Sequence, residues 1–370
     1  MKKGYYIFFG KSNSSGVSKK VNMQLEELEK YFSVKLINVP KIERGIIRKL
    51  WGLFFWVSNK YDYDLLFESL MEPDFLYIRY TLSDKKTLCF LKKVRGTYPQ
   101  CKIIIELFTY PYDREYWHRI DFLFLIKDMY YRRKLKQYVD RFVTYSRDEI
   151  IFGIPTIRTM NGIDIKKIRK IEPIVHDENE IHMIGVAMLQ KHHGYERLIM
   201  GMRNYYSDDI CGKRRKVFFH IVGDGPEKKR YERLVKKYSL GDNVIFHGML
   251  EGEQLDEIYN QSDLAISSLG IYKAKVYYLS ALKTREYLAK GLPMITGSKV
   301  DVLSHKFPYY LEFPNDSSVI DVESIIHFHD KVYSNSYNRA DIVNYIRKFA
   351  EEKVNMDIVM QPIIEFINIS

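Results

Sequence analysis

Short apolar runs, each followed by a longer amphipathic segment, recur along most of this chain of 370 residues. That alternation marks an α/β protein. A strand buried on both faces of a parallel sheet is apolar throughout, whereas its crossover helix needs only one apolar stripe. In the first half the runs are Tyr5–Phe9, Ser33–Val39, Phe75–Arg79, Lys102–Leu107 and Arg141–Thr144. A helix is expected over 17–31, where Leu25, Leu28 and Phe32 share a face, and another over 81–97. A charged stretch at 164–180, containing Glu172-Pro173, interrupts the pattern and reads as a linker. The alternation then restarts with strands at 181–186, Lys216–Val222, 244–246, 264–267 and Met294–Thr296. Helices are expected between them at 195–205, 226–238, 253–261 and 280–290, and a last amphipathic helix at 340–353. A chain of this length accommodates about two domains of ~150 residues, and two doubly wound units are expected.

Composition narrows the class. A hydrophobic fraction of 46% is ordinary for a folded protein. The three cysteines, Cys89, Cys101 and Cys211, are scattered, which fits a reducing compartment and argues against a zinc site. Cys89 and Cys101 lie in apolar runs and read as core residues. The net charge of +11 points to anionic partners such as phosphates or acidic lipid. No recognisable nucleic-acid-binding motif accompanies it. The opening Met1-Lys2-Lys3-Gly4-Tyr5-Tyr6-Ile7-Phe8-Phe9-Gly10 is too short in its apolar part for a signal peptide and reads as a buried first strand. No apolar run reaches the ~20 residues of a membrane span, and a soluble or peripheral protein is expected.

Two constellations carry candidate chemistry. In His220-Ile221-Val222-Gly223-Asp224-Gly225-Pro226 a strand enters a glycine turn, followed by a proline suited to a helix start. Such a turn permits close backbone approach and leaves helix N–H groups for an anion. Taken alone, it is equally a βα turn without a ligand. In the second, Ser280 reads as the N-cap of a helix that Gly291 ends, with Ala281 beside it and Lys283 in the first turn. A cation there opposes the helix dipole, which makes sense if a diphosphate is clamped. Glu286, one turn on, is placed to accept hydrogen bonds from ribose hydroxyls. The plain alternative is a solvated charged face.

In sequence order, Gly223-Asp224-Gly225-Pro226, Asn243-Val244-Ile245-Phe246-His247-Gly248, Ser262-Asp263-Leu264-Ala265 and Glu286-Tyr287-Leu288-Ala289-Lys290-Gly291-Leu292-Pro293 resemble the donor domain of family-four retaining glycosyltransferases of the GT-B fold. Lys283 to Pro293 look closest to bacterial capsule and exopolysaccharide enzymes. More loosely, Ser14-Ser15-Gly16-Val17 resembles the family's glycine loop, and Asn161-Gly162-Ile163-Asp164 a stretch before its linker. The resemblance implies two Rossmann-like domains facing a cleft. The expected domains are an acceptor domain over 1–170, a donor domain over 171–338 and closing helices over 339–370 that cross back onto the first.

The function so implied is transfer of a sugar from a UDP- or GDP-sugar to a saccharide or lipid-linked acceptor, with retention, without metal or other cofactor, in surface polysaccharide synthesis. Cytoplasmic location, possible as a peripheral protein on anionic membrane, follows. Donor-binding residues are then Gly16, Lys191, His193, Gly223, Asp224, Gly225, His247, Gly248, Ser280, Ala281, Lys283 and Glu286. Glu106 or Asp113, at and beyond the end of a central strand of the first domain, takes roughly the place of the family's acceptor-side His as catalytic candidate, and His118 is another.

Departures from the family pattern are specific. Tyr278 stands where the first of two paired glutamates is usual, and Met188 and His193 fall at the family's diphosphate-binding Arg and Lys. Lys191 and Lys283 are the candidates to replace that charge. Asp62-Tyr63-Asp64 spells the D-x-D of metal-dependent transferases but precedes a helix-like segment and reads as coincidence. Segments 44–57 and 130–136 mix cations with aromatics, which suits either an anionic leaflet or a core helix with a basic edge. Three rivals remain: a nucleotide-sugar epimerase of the same fold, a nicotinamide dehydrogenase (disfavoured by the missing G-x-G-x-x-G spacing), and a donor- or partner-binding subunit without catalysis.

Overall fold

The computed structural model describes residues 1–10, 15–42, 61–113, 120–174, 177–207, 214–274, 278–333 and 338–369. The chain divides into two compact units, Met1–Met160 with Met356–Ser370, and Asn161–Asn355.

Among the described residues, unit 1 contains β1 (Lys3–Phe9), β2 (Ser33–Val39), β3 (Phe75–Arg79), β4 (Lys102–Leu107), β5 (Arg141–Thr144), β6 (Ile150–Ile151) and β7 (Ile154–Arg158). They form one sheet in the order β2-β1-β3-β4-β5-β7-β6, parallel except for the β6–β7 pair. The five expected strands lie where the apolar runs place them, and every residue of β3 is buried. On one face, helices Tyr63–Glu68 and Lys85–Thr97 cover a core that includes Leu76, Ile103 and Phe142. Helix Lys85–Thr97 starts later than expected because Asp84 and Thr87 form a reciprocal capping box. Its Phe90, Leu91 and Val94 turn inward and leave Cys89 exposed, so of the two expected core cysteines only Cys101 is buried. Asp62 is a helix cap, accepting from the Leu65 amide at 3.0 Å.

The other face is covered by helices Ser15–Glu29 and Met356–Asn368, which bury Leu28, Met360, Ile363 and Ile367 against Tyr77 and Ile104. Lys2 donates to the Ile367 carbonyl at 2.6 Å and Lys102 to that of Phe366 at 2.9 Å. These ammonium groups satisfy carbonyls that the end of the helix leaves open, with the favourable sign for its dipole.

Unit 2 contains β8 (Glu180–Val186), β9 (Lys216–Val222), β10 (Val244–Gly248), β11 (Leu264–Ile266), β12 (Tyr278–Leu279), β13 (Met294–Thr296), β14 (Lys299–Val300) and β15 (Tyr310–Glu312). Its main sheet runs β10-β9-β8-β11-β13-β15, and β12 pairs with β14. This is the order of a dinucleotide-binding Rossmann sheet, reversing between β8 and β11, so the crevice for a ligand lies beyond the carboxyl ends of those two strands. β15 and helix Val322–Tyr333 complete the unit beyond the elements read from the sequence.

Two expected boundaries shift. Unit 2 begins at Asn161, and the stretch read as a linker is tied along it: the Ile171 amide bonds the Lys290 carbonyl at 2.9 Å, and the Ile174 amide that of Asn260 at 3.1 Å. The closing segment 339–370 also divides. Helix Arg339–Lys353 stays with unit 2, because Arg347 donates to the carbonyls of Ile165, Ile168 and Ala289. Only helix Met356–Asn368 belongs to unit 1.

Candidate active site

The reversal point of unit 2 is held by backbone packed on backbone. Gly194, at φ 63°, lies against Gly270, where an added Cβ would come within 2.4 Å of the Gly270 nitrogen. The Leu269 amide bonds the His193 carbonyl at 2.8 Å. Tyr287 spans the same point, accepting from the Val186 amide at 2.9 Å and donating to the Ile266 carbonyl at 3.2 Å. The loops after β8 and β11 are thereby locked together beside helix Leu282–Lys290.

That helix begins without a side-chain cap. Ala281 is the N-cap residue in extended conformation. Ser280, expected in that role, instead accepts through its hydroxyl from the Asn161 amide at 3.1 Å and from Arg285 at 3.2 Å. It anchors the start of the unit, and the helix N-terminus keeps donors for a ligand. Thr284, Arg285, Tyr287 and Leu288 are buried, with Arg285 paired to Asp301. Lys283 and Glu286, three residues apart, share the half-buried face. The Tyr259 hydroxyl donates to Glu286 at 3.1 Å. Burial lowers Lys283 to about 7 against the opposing pull of Glu286.

His193 and Lys191 lie in the loop after β8. His193 is buried and accepts at Nδ1 from the Gln190 amide at 2.9 Å. Burial first, then Lys283 and His192, hold it down at about 2. It is therefore neutral and offers an Nε2–H donor, without the charge expected of a phosphate-binding cation. Lys191 is exposed at the loop surface, as is Met188.

The glycine turn packs closely on the loop after β8. A Cβ on Gly223 would meet the Ala187 carbonyl oxygen at 1.9 Å, and one on Gly225 that of Leu189 at 2.6 Å. The Gly223 amide bonds the Gly248 carbonyl at 2.6 Å, the Gly225 amide the Asp224 carboxylate at 2.6 Å, and the Glu227 amide the Leu189 carbonyl at 3.1 Å. With these donors engaged, and helix Lys228–Lys237 starting only after Pro226 and Glu227, the turn seats the loop after β8 and the open N–H donors are at Leu282–Lys290. Asp224 also accepts from Lys228 at 3.2 Å. His247 stands at the irregular end of β10, beside Gly248 at φ 69°. Its Nε2 is 3.0 Å from Nδ1 of His220.

In unit 1 the catalytic candidates separate. Glu106 is fully buried, bonded to Lys20 at 2.7 Å and to the Tyr145 hydroxyl at 2.5 Å, with Arg79 at 3.7 Å. Burial works to raise its carboxyl, but Lys20 and Arg79 outweigh it and hold the group at about 2. A carboxylate this acidic and enclosed is a poor proton acceptor. It holds the carboxyl ends of β3, β4 and β5 together as an ion-paired centre, with both charged partners on the carboxylate expected to act as a base. Asp113 is half-buried and paired to Arg132 at 2.5 Å. Gly16 sits in the first turn of helix Ser15–Glu29 with open space at its Cβ position. His118 and segment 44–57 lie outside the described residues. In segment 130–136, Tyr131, Arg132 and Leu135 are buried while Arg133 and Lys136 are exposed, a core piece with a basic edge.

Sequence reasoning missed Lys20, Arg79, Tyr195 and Tyr259. Each is an ordinary helix or strand residue by pattern, and only the packing of distant segments shows what it touches. Among the described residues no group of three or more His, Cys, Asp or Glu is arranged to hold a metal. No helix among them is long and apolar enough to cross a membrane.

Two Rossmann-type units, the second with an uncapped helix carrying Lys283 and Glu286 beside its sheet reversal, define a GT-B protein. Residues 164–303 match the family of glycosyl transferases group 1. An uncharacterized glycosyltransferase of Methanocaldococcus jannaschii is 25% identical over 184 residues, 49% of this chain and 42% of that relative, so the match spans less than half of the relative's length. A glycosyltransferase structure from Rickettsia africae aligns over 99% of this chain and 97% of its own, at TM-score 0.64 and 12% identity. A lipopolysaccharide outer core galactosyltransferase aligns over the whole of both chains at TM-score 0.61 and 12% identity. So does an E. coli trehalose-6-phosphate protein bound with UDP-2-fluoro glucose, at 0.64 and 12%. At these identities the structural likeness establishes the fold, GT-B, and within it residues 164–303 are the part that is similar to group 1 glycosyl transferases.

Proposed function

We propose that this protein transfers a sugar from a nucleoside-diphosphate sugar to a saccharide or lipid-linked acceptor, retaining anomeric configuration and requiring no metal. One observation carries the reading. The uncapped N-terminus of helix Leu282–Lys290, with Lys283 and Glu286 on one face, lies beside the sheet reversal and within the segment matching group 1 glycosyl transferases. Departure of a nucleoside diphosphate leaves negative charge, and helix N–H groups with an adjacent ammonium stabilise it. Glu286, steadied by Tyr259, holds the ribose hydroxyls, and His193 adds an N–H donor. Surface polysaccharide synthesis at the cytoplasmic face of a membrane is the setting this reading favours.

A donor-binding subunit without catalysis is the second reading, favoured by Tyr278 in place of the family's first glutamate and by Glu106 being locked in an ion pair. Thermal shift with UDP- and GDP-sugars, without added metal, tests binding, since a ligand of the native state raises the melting temperature. Turnover with the sugar that binds then separates the two readings. The absence of a shift with every nucleotide sugar would remove the donor site.

A further inference from the structure

Three histidines from three adjacent strands form a continuous hydrogen-bonded row across unit 2. His182 Nδ1 on β8 is 3.0 Å from His220 Nε2 on β9, and His220 Nδ1 is 3.0 Å from His247 Nε2 on β10. Successive ring centroids are 5.3 and 5.2 Å apart, with interplanar angles of 16° and 29°. Phe218 stacks on His182 at 4.7 Å and fixes its plane. At the start of β8, Glu180 Oε2 lies 3.7 Å from His182 Nε2.

The row has a direction. Each contact between ring nitrogens needs one proton, and a neutral imidazole carries only one. A proton on His182 Nε2 faces the Glu180 carboxylate; a lone pair there would face like charge. With Nε2–H on His182, its Nδ1 accepts from His220 Nε2–H. His220 Nδ1 then accepts from His247 Nε2–H. His247 is left with a bare Nδ1, for which no partner occurs among the described residues. Burial lowers the affinity of His247 for a second proton, so that lone pair persists near neutrality.

We propose that Glu180, His182 and His220 are positioning residues that fix the tautomer of His247, so that His247 Nδ1 accepts a hydrogen bond from the imino N–H of a donor nucleobase. The proposal rests on the donor reading above, in which His247 and Gly248 at the end of β10 are donor-binding residues, and assigns them the base. Uracil offers such a proton at N3 and guanine at N1. Cytosine and adenine place a lone pair at the corresponding atom, and two facing lone pairs repel. The row thus selects imino-protonated bases through a carboxylate two strands away from the ligand.

The test has two arms. Nitrogen-15 NMR of the histidine rings in the full chain is expected to find His247 protonated at Nε2 and bare at Nδ1, and the opposite tautomer would overturn the relay. In the second arm, calorimetry compares UDP with CDP and GDP with ADP. The imino member of the pair that binds is expected to win by about tenfold, the worth of one hydrogen bond against a repulsive contact. In Glu180→Gln, whose side chain can donate or accept, the preference should shrink to about twofold while folding is preserved. His220→Phe should do the same by cutting the row. Equal affinities in the native protein, or unchanged selectivity in both variants, would sink the proposal. Failure of every nucleotide to bind would instead remove the donor reading, and with it the base contact, whatever the tautomers.

Discussion

The ammonium of Lys283 lies 3.5 Å from the Tyr195 hydroxyl and 5.7 Å from the centre of its ring. Tyr195 gives the cation a polar atom and an aromatic face but no charge. Burial accordingly brings Lys283 down to about 7, against Glu286. A bound diphosphate would restore the charge. Binding of UDP or GDP at pH 8 should therefore take up close to one proton, by linkage. Calorimetry in buffers of differing ionisation enthalpy measures this, and Lys283→Met should abolish the uptake and weaken binding at least ~10-fold.

The same group affects stability. In the unfolded chain Lys283 returns to about 10.5. Between pH 7 and 10.5 the unfolded state then holds more protons, so stability rises with pH through that window. Lys283→Met should raise the melting temperature of the ligand-free protein at pH 7 by a few degrees, roughly 1 kcal/mol, while impairing function. A lowered melting temperature would mean that the ammonium is well compensated.

Glu106 predicts the opposite pH trend. Its folded value of about 2 lies below the ordinary 4.5. The stability it contributes is complete above pH 4.5 and lost as pH falls from there toward 2. Glu106→Gln leaves Lys20 and Arg79 buried with no carboxylate and should cost about 3–5 kcal/mol in urea unfolding. A variant as stable as the parent but inactive would restore Glu106 as a catalytic residue.

Two glycines should respond differently to the same added methyl. In Gly223→Ala the Cβ meets the Ala187 oxygen at 1.9 Å, at φ 124°, so a loss of at least ~3 kcal/mol is expected. In Gly16→Ala it meets nothing within 4 Å. Helix propensity should then add ~0.5–1 kcal/mol, and any loss of donor binding would identify Gly16 as a ligand contact.

Glu286→Ala should reduce turnover roughly 100-fold, with little change in melting temperature because the face is half-exposed. Tyr259→Phe removes only the hydroxyl that steadies Glu286 and should cost about 10-fold. Unchanged rates in Glu286→Ala would dismiss this site.

Most strands and helices of both sheets were legible because parallel strands buried on two faces must be apolar along most of their length, a demand that His220 and Glu106 survive only through their partners. The ordered motifs from Gly223 to Pro293 lie in the half that matches group 1 glycosyl transferases, and they were legible for a related reason: glycine and proline mark backbone geometry that other residues cannot adopt. What those motifs do locally was less legible. The Gly223 turn and the Leu282–Lys290 helix start both read as places for an anion, yet one has its amides engaged by neighbouring loops and the other stays uncapped because Ser280 bonds to Asn161 and Arg285. Short β15 and the division of 339–370 between units left too little periodicity to read.

By itself, then, the sequence determined the α/β class, the repeated unit and the positions of Lys283 and Glu286, since these follow from local pattern and helical spacing. Tertiary structure decided the charge states and the pairings. Glu106 is a buried, paired anion because Lys20 and Arg79, from elements far apart in the chain, converge on it. Lys283 is a weakened cation because its burial, beside Tyr195, outweighs the pull of Glu286. Three histidines become a directed row because strand order sets β8, β9 and β10 side by side. Electrostatic character depends on which distant groups share a buried volume, and no local pattern carries that information.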